Sequence, residues 1–253
     1  MTEPVTAALL IIGNEILSGR TRDTNLPFLA KRLNDLGVRL VEARIVRDET
    51  EAIVAAVNEL RAAYTYVLTT GGIGPTHDDI TAAAIARAFG VPLERNAGAV
   101  AAMAAYYAGG ALELNEARLR MADMPRGAVL IDNPVSGAPG FQIENVFVLA
   151  GVPRIMQAMV EGIRHRIVGG APVLSRTVAV DLPEGTIAET LEAVEKRFDG
   201  VEIGSYPYYR SRRFGVKLVL RSTDRGRLAD AAKALIAALR ALGGEAVEET
   251  AEA

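Results

Sequence analysis

Apolar runs and stretches of helical periodicity alternate along the first part of the chain. Residues 7–12 form a continuous apolar run, which is typical of a strand that is buried on both faces. Residues 26–36 have helical spacing, and residues 39–46 and 66–69 have the composition of two further strands. This alternation predicts an α/β fold with a mostly parallel sheet and right-handed crossovers.

Two helices of this part are predicted to begin at capping boxes, in which a polar side chain and an acid three residues later bond each other's backbone. Asp48 and Glu51 have this spacing before the helix that follows the second strand. Thr76 and Asp79 have it before the helix that follows the third strand and stops at Gly90. If both boxes form, these acids have a local structural role.

The pattern beyond the third strand predicts more elements before residues 169–172, a segment of glycine and proline that is the best linker in the sequence. The first is a helical stretch at residues 97–122, which is interrupted at Gly109 and Gly110. It is followed by a strand at residues 128–131, a hairpin at residues 141–149 and a helix at residues 153–168. We therefore assign residues 1–170 to a first domain.

The order of elements changes after the linker. The pattern predicts a strand at residues 177–180 and a helix at residues 186–198. It then predicts strands at residues 201–206 and 214–220 and a helix at residues 227–242. This β-α-β-β-α order predicts that residues 171–253 form a smaller α+β domain, with an acidic tail that is expected to fray. Residues 206–213 combine tyrosines with arginines, and they are either a loop suited to stacking on a base or an exposed connection between strands.

Composition narrows the classes of function. The 253 residues include no cysteine and two histidines, which excludes disulfide scaffolds and cysteine nucleophiles and disfavours a histidine-based zinc site. The net charge is −3, without the basic footprint of a nucleic-acid-binding protein. The apolar runs are shorter than the about 20 residues that span a bilayer. We therefore expect a cytoplasmic protein without nucleic-acid or membrane partners.

Chemistry is expected at the carboxyl ends of the parallel strands, where ligands bind in open α/β sheets. This rule selects residues 13–19, 47–49 and 70–76. Gly71, Gly72 and Gly74 permit positive φ and a close approach of the backbone to a ligand. The next helix is expected to begin near Asp78, so its free amides would favour a phosphate. The alternative is a tight strand–turn–helix connection without a ligand.

Carboxylates beside the glycine loop favour a site that holds phosphate and metal together. Asp78 and Asp79 would repel a phosphate unless a cation intervenes, and Mg²⁺ is typically bound by one or two carboxylates together with phosphate oxygens. Asp48 is a second candidate ligand, and Asn14 and Glu15 are suited to binding a hydroxyl or a ring edge. The alternatives are stabilisation of the acids by a helix N-terminus and an N-cap role for Asp48.

The motifs occur in a specific order along the chain. They are Gly13-Asn-Glu-Ile-Leu-Ser-Gly19, Asp23-Thr-Asn25, Val46-Arg-Asp48, Thr70-Gly-Gly-Ile-Gly-Pro-Thr-His-Asp-Asp79, Asn115-Glu-Ala-Arg118, Met124-Pro, Asn133-Pro, Gly137-Ala-Pro-Gly140 and Ala150-Gly-Val-Pro153. Together they resemble the molybdopterin-binding (MoaB/MogA-like) domain, in the version found at the N-terminus of competence/damage-inducible protein A (CinA). Ile203-Gly-Ser-Tyr-Pro207 is similar to a segment that this family shares with eukaryotic FAD synthases.

The resemblance implies a three-layer MoaB/MogA-like domain and chemistry at a phosphoanhydride. Relatives adenylylate molybdopterin with Mg²⁺ and ATP, or are associated with cleavage of the pyrophosphate in ADP-ribose or FAD. The resemblance also implies that two important aspartates of the family are Asp48 and Asp79, and that the protein is a homo-oligomer, either a dimer or a trimer.

Our leading hypothesis is a metal-dependent nucleotide pyrophosphatase that acts on ADP-ribose or FAD with Mg²⁺, Mn²⁺ or Co²⁺. The alternatives are a molybdopterin adenylyltransferase or molybdopterin-binding protein, and a non-catalytic module that binds a nucleotide or a pterin. The predicted catalytic residues are Asp48, Asp78 and Asp79, with Asp48 and Asp79 as metal ligands. The predicted substrate-binding residues are Gly13, Asn14, Glu15, Asn25, Gly71, Gly72, Gly74, Pro75, Thr76, Asn115, Arg118, Gly137, Pro139 and Gly140.

Two departures from the family pattern bear on activity. Longer relatives continue into a nicotinamide mononucleotide deamidase domain, and this sequence does not, so a stand-alone form without that activity is expected. The Pro-Gly-Val-Pro segment of the family runs into a Ser-Glu-Met-like sequence, whereas here Ala150 replaces the proline and the acid is missing at Ile155. If that acid binds substrate or metal, its loss favours the non-catalytic alternative.

Overall fold

A computed structural model describes residues 4–109, 113–210 and 213–249. The chain divides into two compact units, Met1–Gly170 and Ala171–Ala253. The predicted interruption at Gly110 and the last residues of the acidic tail lie outside the described residues.

The first unit contains a six-stranded sheet in the order β2-β1-β3-β8-β7-β6. β2, β1, β3 and β8 run parallel to one another, whereas the pairs β8–β7 and β7–β6 are antiparallel. A separate antiparallel pair is formed by β4 and β5. The strands are β1 (Thr6–Ile12), β2 (Arg39–Val46), β3 (Tyr66–Thr70), β4 (Leu93–Arg95), β5 (Asp123–Pro125), β6 (Val129–Ile131), β7 (Gly140–Ile143) and β8 (Val146–Leu149).

Helices cover both faces of this sheet. They are α1 (Asn14–Leu17), α2 (Asn25–Asp35), α3 (Thr50–Ala63), α4 (Thr81–Ala88), α5 (Ala97–Ala108), α6 (Glu116–Leu119) and α7 (Pro153–Ile163). Alternate residues of β1 belong to two apolar clusters, one shared with α3 and α4 and the other with α2 and α7. Residues 7–12 are each at most 3% exposed, so the continuous apolar run is a strand buried on both faces, as predicted.

Two helices begin later than the capping boxes predict. α3 begins after Glu49 and α4 begins after Ile80, and neither of these N-cap side chains makes a capping hydrogen bond. The predicted cap at Asp48 and the expected helix start near Asp78 are therefore wrong. The Asp48 carboxylate instead accepts a hydrogen bond from the backbone N–H of Asn14, at the start of a short helix that the pattern did not predict. This long-range contact takes the place of the local cap.

The second unit is an antiparallel sheet in the order β10-β11-β9-β12 with two helices packed on it. Its elements are β9 (Leu174–Val180), α8 (Glu184–Arg197), β10 (Glu202–Arg210), β11 (Arg213–Ser222), α9 (Arg225–Ala241) and β12 (Val247–Glu249). The first five follow the predicted β-α-β-β-α order, which gives the smaller α+β unit.

Two expectations for the second unit are wrong. The tail does not fray throughout, because residues 247–249 pair with β9, and ion pairs join Arg176 to Glu248 at 2.8 Å and Lys217 to Glu249 at 2.6 Å. Residues 206–213 are also not an extended loop, because β10 and β11 continue as paired strands through residues 210 and 213. Both results come from hydrogen bonds between strands, and the local sequence pattern of one strand does not show which other segment it pairs with.

The described helix α9 has 17 residues, fewer than the about 20 that a spanning helix needs. In the described parts of the chain, no helix is long and apolar enough to cross a membrane.

Candidate functional site

An open cleft of about 450 Å³ lies beside the carboxyl ends of β1, β3 and β8. Its volume falls within the range of small-molecule sites. The loops after these strands form one side of the cleft, and residues from α5 to β7 form the other. The lining residues are Glu15, Gly71, Gly72, Ile73, Gly74, Pro75, Asp79, Tyr107, Arg118, Met121, Asn133, Ser136, Ala138, Ala150, Gly151, Val152 and Ile155.

The glycine loop after β3 has a conformation that other residues would not adopt. Gly71 has φ +102°, and a Cβ there would lie 2.1 Å from the carbonyl oxygen of Ile12. Gly72 has φ +66°, and a Cβ there would lie 2.2 Å from Oγ1 of Thr81. That hydroxyl donates a 3.0 Å hydrogen bond to the Gly71 carbonyl, which ties the loop to α4. Gly71 and Gly72 therefore present backbone without a side chain to the cleft, as glycine at these positions predicts.

Asp79 is held at the edge of the cleft by Thr76. The Thr76 backbone N–H donates to Asp79 Oδ2 at 2.8 Å, and the Thr76 hydroxyl donates to the same oxygen. A Cβ at Gly74 would lie 2.6 Å from this oxygen, so the glycine makes room for the carboxylate. The Thr76–Asp79 pair thus closes a turn before α4 and leaves Asp79 Oδ1 without a hydrogen bond to any described residue.

Asp78 lies next to Asp79 in the sequence but is not part of the cleft lining. Its side chain is exposed and does not line the cleft. Hydrogen bonds from the Thr76 side chain and from its own backbone lower the pKa of Asp78. In the observed geometry the Thr76 hydroxyl donates to Asp79. Asp78 contributes negative charge near the loop and does not face the cleft.

Asp48 contacts the backbone of Asn14, which lies beside the cleft-lining residue Glu15. Its Oδ2 accepts a 2.8 Å hydrogen bond from the backbone N–H of Asn14, and it is not part of the cleft lining. Gly13 precedes this point, donates to the Val46 carbonyl at 3.2 Å, and would clash with the Glu15 carboxylate if it had a Cβ. These contacts fix α1 and leave the Glu15 side chain lining the cleft.

The acidic groups that line the cleft are Glu15 and Asp79. Among the residues that the structure describes, no cluster of three or more acidic or histidine side chains is suited to a metal ion. Two carboxylates are sufficient for a Mg²⁺-type ion that takes its remaining oxygens from phosphate and water. Glu15 and Asp79 are therefore the side chains of the cleft that would hold such a cation together with a phosphate, and Asp48 is not part of the lining.

A narrow crevice of about 70 Å³ adjoins the cleft and shares Glu15, Gly71 and Gly151 with it. Asn25 lies in this crevice, is 4% exposed, and donates from Nδ2 to the Gly151 carbonyl at 2.8 Å. Its Oδ1 and the Oγ1 of Thr70 are buried and have no hydrogen-bond partner in the described structure. Buried acceptors of this kind are usually satisfied by water or by a ligand.

A positively charged side chain, that of Arg118, lies on the opposite wall of the cleft. Arg118 lines the cleft, its guanidinium lies 5.3 Å from the ring centroid of Tyr107, and its side chain also donates to the Glu113 carbonyl. Asn115 supplies the N-cap of α6 by accepting the Arg118 backbone N–H at 3.0 Å. Asn115 therefore orients the helix, and Arg118 provides a guanidinium suited to phosphate.

Asn133 organises the third wall. This buried side chain donates to Ser136 Oγ and to the Ala138 carbonyl, each at 2.7 Å. Its Oδ1 accepts the backbone N–H groups of Val135 and Ser136 at 3.1 and 3.0 Å. These four bonds hold the turn that carries Ser136 and Ala138 into the lining.

Three predicted binding residues have packing roles in this wall. Gly137 has φ +75°, and a Cβ there would lie 2.4 Å from the Tyr106 ring. Gly140 belongs to β7, and a Cβ there would lie 2.3 Å from the Val148 carbonyl. Pro139 lines a crevice of about 20 Å³ that also contacts Asp79. None of the three lines the main cleft.

Several lining residues were missed by the sequence reasoning. Tyr107 lies in the alanine-rich helix α5, where its neighbours carry no sign of a ligand site. Met121 lies in the short 3₁₀ helix Arg120–Ala122, where nothing in the local pattern indicates a ligand site. Ile155 lies in the first turn of α7 and lines the cleft. The resemblance had already marked this position, because the acid of the family is absent at Ile155.

Comparisons with known proteins match each unit separately. Residues 8–169 match the family described as a probable molybdopterin binding domain, and residues 172–245 match the middle domain of FAD synthase. The crystal structure of CinA from Thermoplasma acidophilum, described as a protein of unknown function, is similar with a TM-score of 0.60 and 33% identity. The similarity covers 65% of this chain and 99% of that one. The expected fold class, a MoaB/MogA-like unit followed by a smaller one, is confirmed.

Two relatives show how the chain compares in length. A protein of Pyrobaculum calidifontis is 37% identical over 211 residues, which is 80% of each chain. The probable FAD synthase of Caenorhabditis briggsae is 34% identical over 244 residues, which cover 86% of this chain and 46% of that protein. The chain thus spans about half of the FAD synthase that it resembles.

Proposed function

The chain belongs to the family of probable molybdopterin-binding domains over residues 8–169, and from this membership we propose that its cleft binds a nucleotide with a phosphoanhydride and cleaves that bond with a divalent cation. ADP-ribose and FAD are the leading substrates. The similarity of the second unit to the FAD synthase middle domain supports a flavin or adenine dinucleotide.

One arrangement carries the proposal, namely that glycine backbone of the loop after β3 and charged side chains of both signs face one cleft. Glu15 and Asp79 lie on the side of the parallel strands, and Arg118 lies on the other. A phosphate beside two carboxylates is favourable only with a cation between them. A nucleotide diphosphate with its cation satisfies both sides of the cleft.

Each residue has a distinct task in this proposal. Glu15 and Asp79 would hold the cation, which supplies charge screening at the phosphate oxygens and activation of water. The glycine-loop amides orient the phosphates, and Arg118 stabilises the negative charge on the leaving phosphate. Asp48 is a positioning residue, because it contacts Asn14 and not the cleft.

The test is release of AMP from ADP-ribose, FAD, NAD or ATP, followed by chromatography in the presence of Mg²⁺, Mn²⁺ or Co²⁺. Asp79→Asn is expected to abolish turnover because it removes a charge from the cation site while it retains the shape of the side chain. Asp35→Asn is the matched control, since Asp35 forms only a surface ion pair with Arg32 at 3.6 Å. Equal turnover by Asp79→Asn and by Asp35→Asn would refute the assignment.

A non-catalytic nucleotide- or pterin-binding module is the second candidate, and Ile155 favours it. This apolar side chain lines the cleft at the position where the resemblance implies an acid. In that case AMP or a pterin raises the melting temperature of the wild-type protein, but no substrate is turned over. Ile155→Glu distinguishes the two candidates, because a gain of metal-dependent turnover would show that the missing acid limits catalysis. AMP transfer that requires both ATP and a pterin would instead identify an adenylyltransferase.

A further inference from the structure

We propose that the end of the β10–β11 hairpin binds single-stranded nucleic acid through its aromatic side chains and a neighbouring arginine. Residues 206–209 of β10 and 214–215 of β11 form this end, which we call the aromatic arm. Its exposed rings, a local excess of basic residues and an edge that is closed to an added strand carry the inference. The site belongs to the second unit alone and does not depend on hydrolysis in the first.

The aromatic arm extends beyond the rest of its sheet. β9 pairs with β11 only from residue 216 onwards. Residues 208–210 and 213–215 pair with each other as a two-stranded ribbon, and β10 is the edge strand of the sheet. In the described part of the chain no third strand lies beside this ribbon, so a partner can contact both of its faces.

Large rings are exposed on both faces of the aromatic arm. Tyr209 and Phe214 are directly opposed, their ring centroids lie 4.6 Å apart, and they are 60% and 73% exposed. Tyr206 is 47% exposed, and it lies with Tyr208 on the other face because successive side chains of a strand alternate. Phenylalanine is among the residues most often buried. Its exposure beside tyrosines marks a binding surface, because aromatic residues are enriched in such surfaces.

Glycines make room for the rings of Tyr206 and Tyr208. A Cβ at Gly215 would lie 2.6 Å from Cζ of Tyr208, which stands opposite it in the neighbouring strand. A Cβ at Gly204 would lie 3.0 Å from Cε2 of Tyr206. Each ring therefore occupies the space into which a side chain would project from its glycine. A ring that the sheet supports on one side is suited to stacking on a base with the other.

Basic residues are concentrated around the aromatic arm in the sequence. Residues 203–223 contain five basic residues and no aspartate or glutamate, whereas the whole chain has a net charge of −3. The net charge of the chain therefore averages over a segment that attracts phosphate. Lys217 is partly neutralised by Glu249, whose carboxylate lies 2.6 Å from Nζ. The five basic residues are Arg210, Arg212, Arg213, Lys217 and Arg221.

Arg221 places a positive charge beside one of the rings. Its Nη2 donates a hydrogen bond to the Tyr206 hydroxyl at 3.1 Å, and no described residue forms an ion pair with it. Glu202 stands opposite Arg221 in the strand register. The remaining donors of the guanidinium are suited to a phosphate oxygen, and the Tyr206 ring is suited to the adjoining base.

The outer edge of β10 is closed to an added strand. The Ile203 N–H donates to Glu195 Oε1 at 3.1 Å, so the polar groups of this residue point away from β11. Because these groups alternate along a strand, Pro207 faces the same side, where it has no N–H to donate. A partner of this hairpin is therefore bound by side chains and not by pairing of strands.

The exposed shape of the aromatic arm favours a polymer over a free nucleotide. Small-molecule sites are concave and bury most of their ligand, whereas Tyr209 and Phe214 project into solvent. An exposed ring gains little from one base, so affinity depends on several bases of one strand that stack together. Single-stranded nucleic acid supplies such bases together with phosphates for the basic segment.

Fluorescence anisotropy of labelled oligouridylate and oligothymidylate, titrated with the whole chain, tests the proposal. The wild-type protein is expected to bind at least one of the two, and NaCl is expected to weaken the binding. Phe214→Leu retains an apolar side chain but loses the ring, so we expect about tenfold weaker binding. Phe214→Tyr retains the ring and is the matched control. Absence of binding by the wild type, or equal binding by Phe214→Leu, would overturn the proposal.

Charge variants test the role of Arg221. Arg221→Gln is expected to weaken binding and to lower the slope of log affinity against log salt concentration by about 0.7. Glu202→Gln removes the acid opposite Arg221 and is expected to strengthen binding. Arg164→Gln is the matched control, because Arg164 pairs with Glu161 at 3.2 Å in the first unit. Equal effects of Arg221→Gln and Arg164→Gln would show unspecific attraction and contradict a site at the aromatic arm.

Competition separates the aromatic arm from the cleft and from a lipid surface. Excess ADP-ribose is expected to leave the oligonucleotide bound, and its displacement would locate the binding in the cleft and contradict the proposal. Vesicles of phosphatidylcholine and phosphatidylserine are expected to leave the protein in the supernatant. Sedimentation with these vesicles that is lost in Phe214→Leu would identify a lipid surface as the partner and overturn the proposal. Circular dichroism checks that every variant is folded.

Discussion

The backbone N–H of Asn14 donates a 2.8 Å hydrogen bond to Oδ2 of Asp48. This bond joins the loop after β1 to the loop after β2, and it fixes the start of the short helix that carries Glu15 into the cleft. An aspartate that appears from its spacing to cap its own helix therefore stabilises a different segment. Its influence on the cleft is indirect and depends on one acceptor oxygen.

Asp48→Ala removes that acceptor and releases α1. Because Glu15 then loses its fixed position, we expect turnover of the phosphoanhydride substrate to fall roughly 10- to 100-fold. Asp48→Asn retains an acceptor oxygen and is expected to keep most of the turnover. Steady-state kinetics of the two variants over a range of Mg²⁺ concentrations measure the difference. Equal losses in both variants, with a raised Mg²⁺ requirement, would show that Asp48 is a metal ligand instead.

Gly71→Ala is expected to destabilise the first unit strongly. The new Cβ would lie 2.1 Å from the Ile12 carbonyl oxygen at φ +102°, so β1 or the loop must move. We expect a loss of roughly 3 kcal/mol of unfolding free energy, measured by urea denaturation. Gly90→Ala is the matched control, because Gly90 has φ +64° and open space around it. That change is expected to cost about 1 kcal/mol, and equal effects would contradict the importance of the contact.

Asn133→Ala tests the third wall of the cleft. The substitution removes four hydrogen bonds from a side chain that is 3% exposed, and leaves part-buried N–H and C=O groups without these partners. We expect the unfolding free energy to fall by roughly 2–4 kcal/mol. Asn58→Ala serves as the control, because the exposed Asn58 accepts a single bond from Arg61 at 3.1 Å. A similar small loss in both variants would argue against the assigned role.

Asp224 is expected to make the second unit sensitive to acid. Its carboxylate caps α9, and the hydrogen bond from the Arg227 backbone N–H lowers the pKa of Asp224 below its ordinary value of 3.8. Since the folded pKa is lower than the unfolded pKa, this stabilisation is present above the unfolded pKa. It is lost as the pH falls through the folded pKa.

Asp224→Asn separates capping from titration, because asparagine also caps helices but does not ionise. We expect the urea midpoint of the second unit to decrease less steeply with acidification in this variant than in the wild type. Asp224→Ala removes the cap of α9, so the unfolding transition whose urea midpoint this variant shifts at neutral pH is that of the second unit. A wild-type and an Asp224→Asn protein with the same acid dependence would exclude Asp224 as the source.

The sequence determined the architecture and the main loop of the cleft. Residues 7–12 predicted a doubly buried strand because an uninterrupted apolar run has no polar face to expose, and the structure confirms it. Gly71, Gly72 and Gly74 marked the loop after β3, since backbone torsion and close packing are local properties that glycine satisfies. The carboxyl ends of parallel strands then had to meet at one edge, which brought Glu15 to the same cleft.

The tertiary structure decided which side chains face one another. The partner of Asp48 is 34 positions away in the chain, and β12 pairs with β9 across the whole second unit. Tyr107 and Ile155 reach the cleft because α5 and α7 pack around it, although each has an ordinary position in its own helix. Local periodicity specifies which face of a helix or strand is apolar. The groups that this face contacts depend on how segments that are distant in the chain pack together.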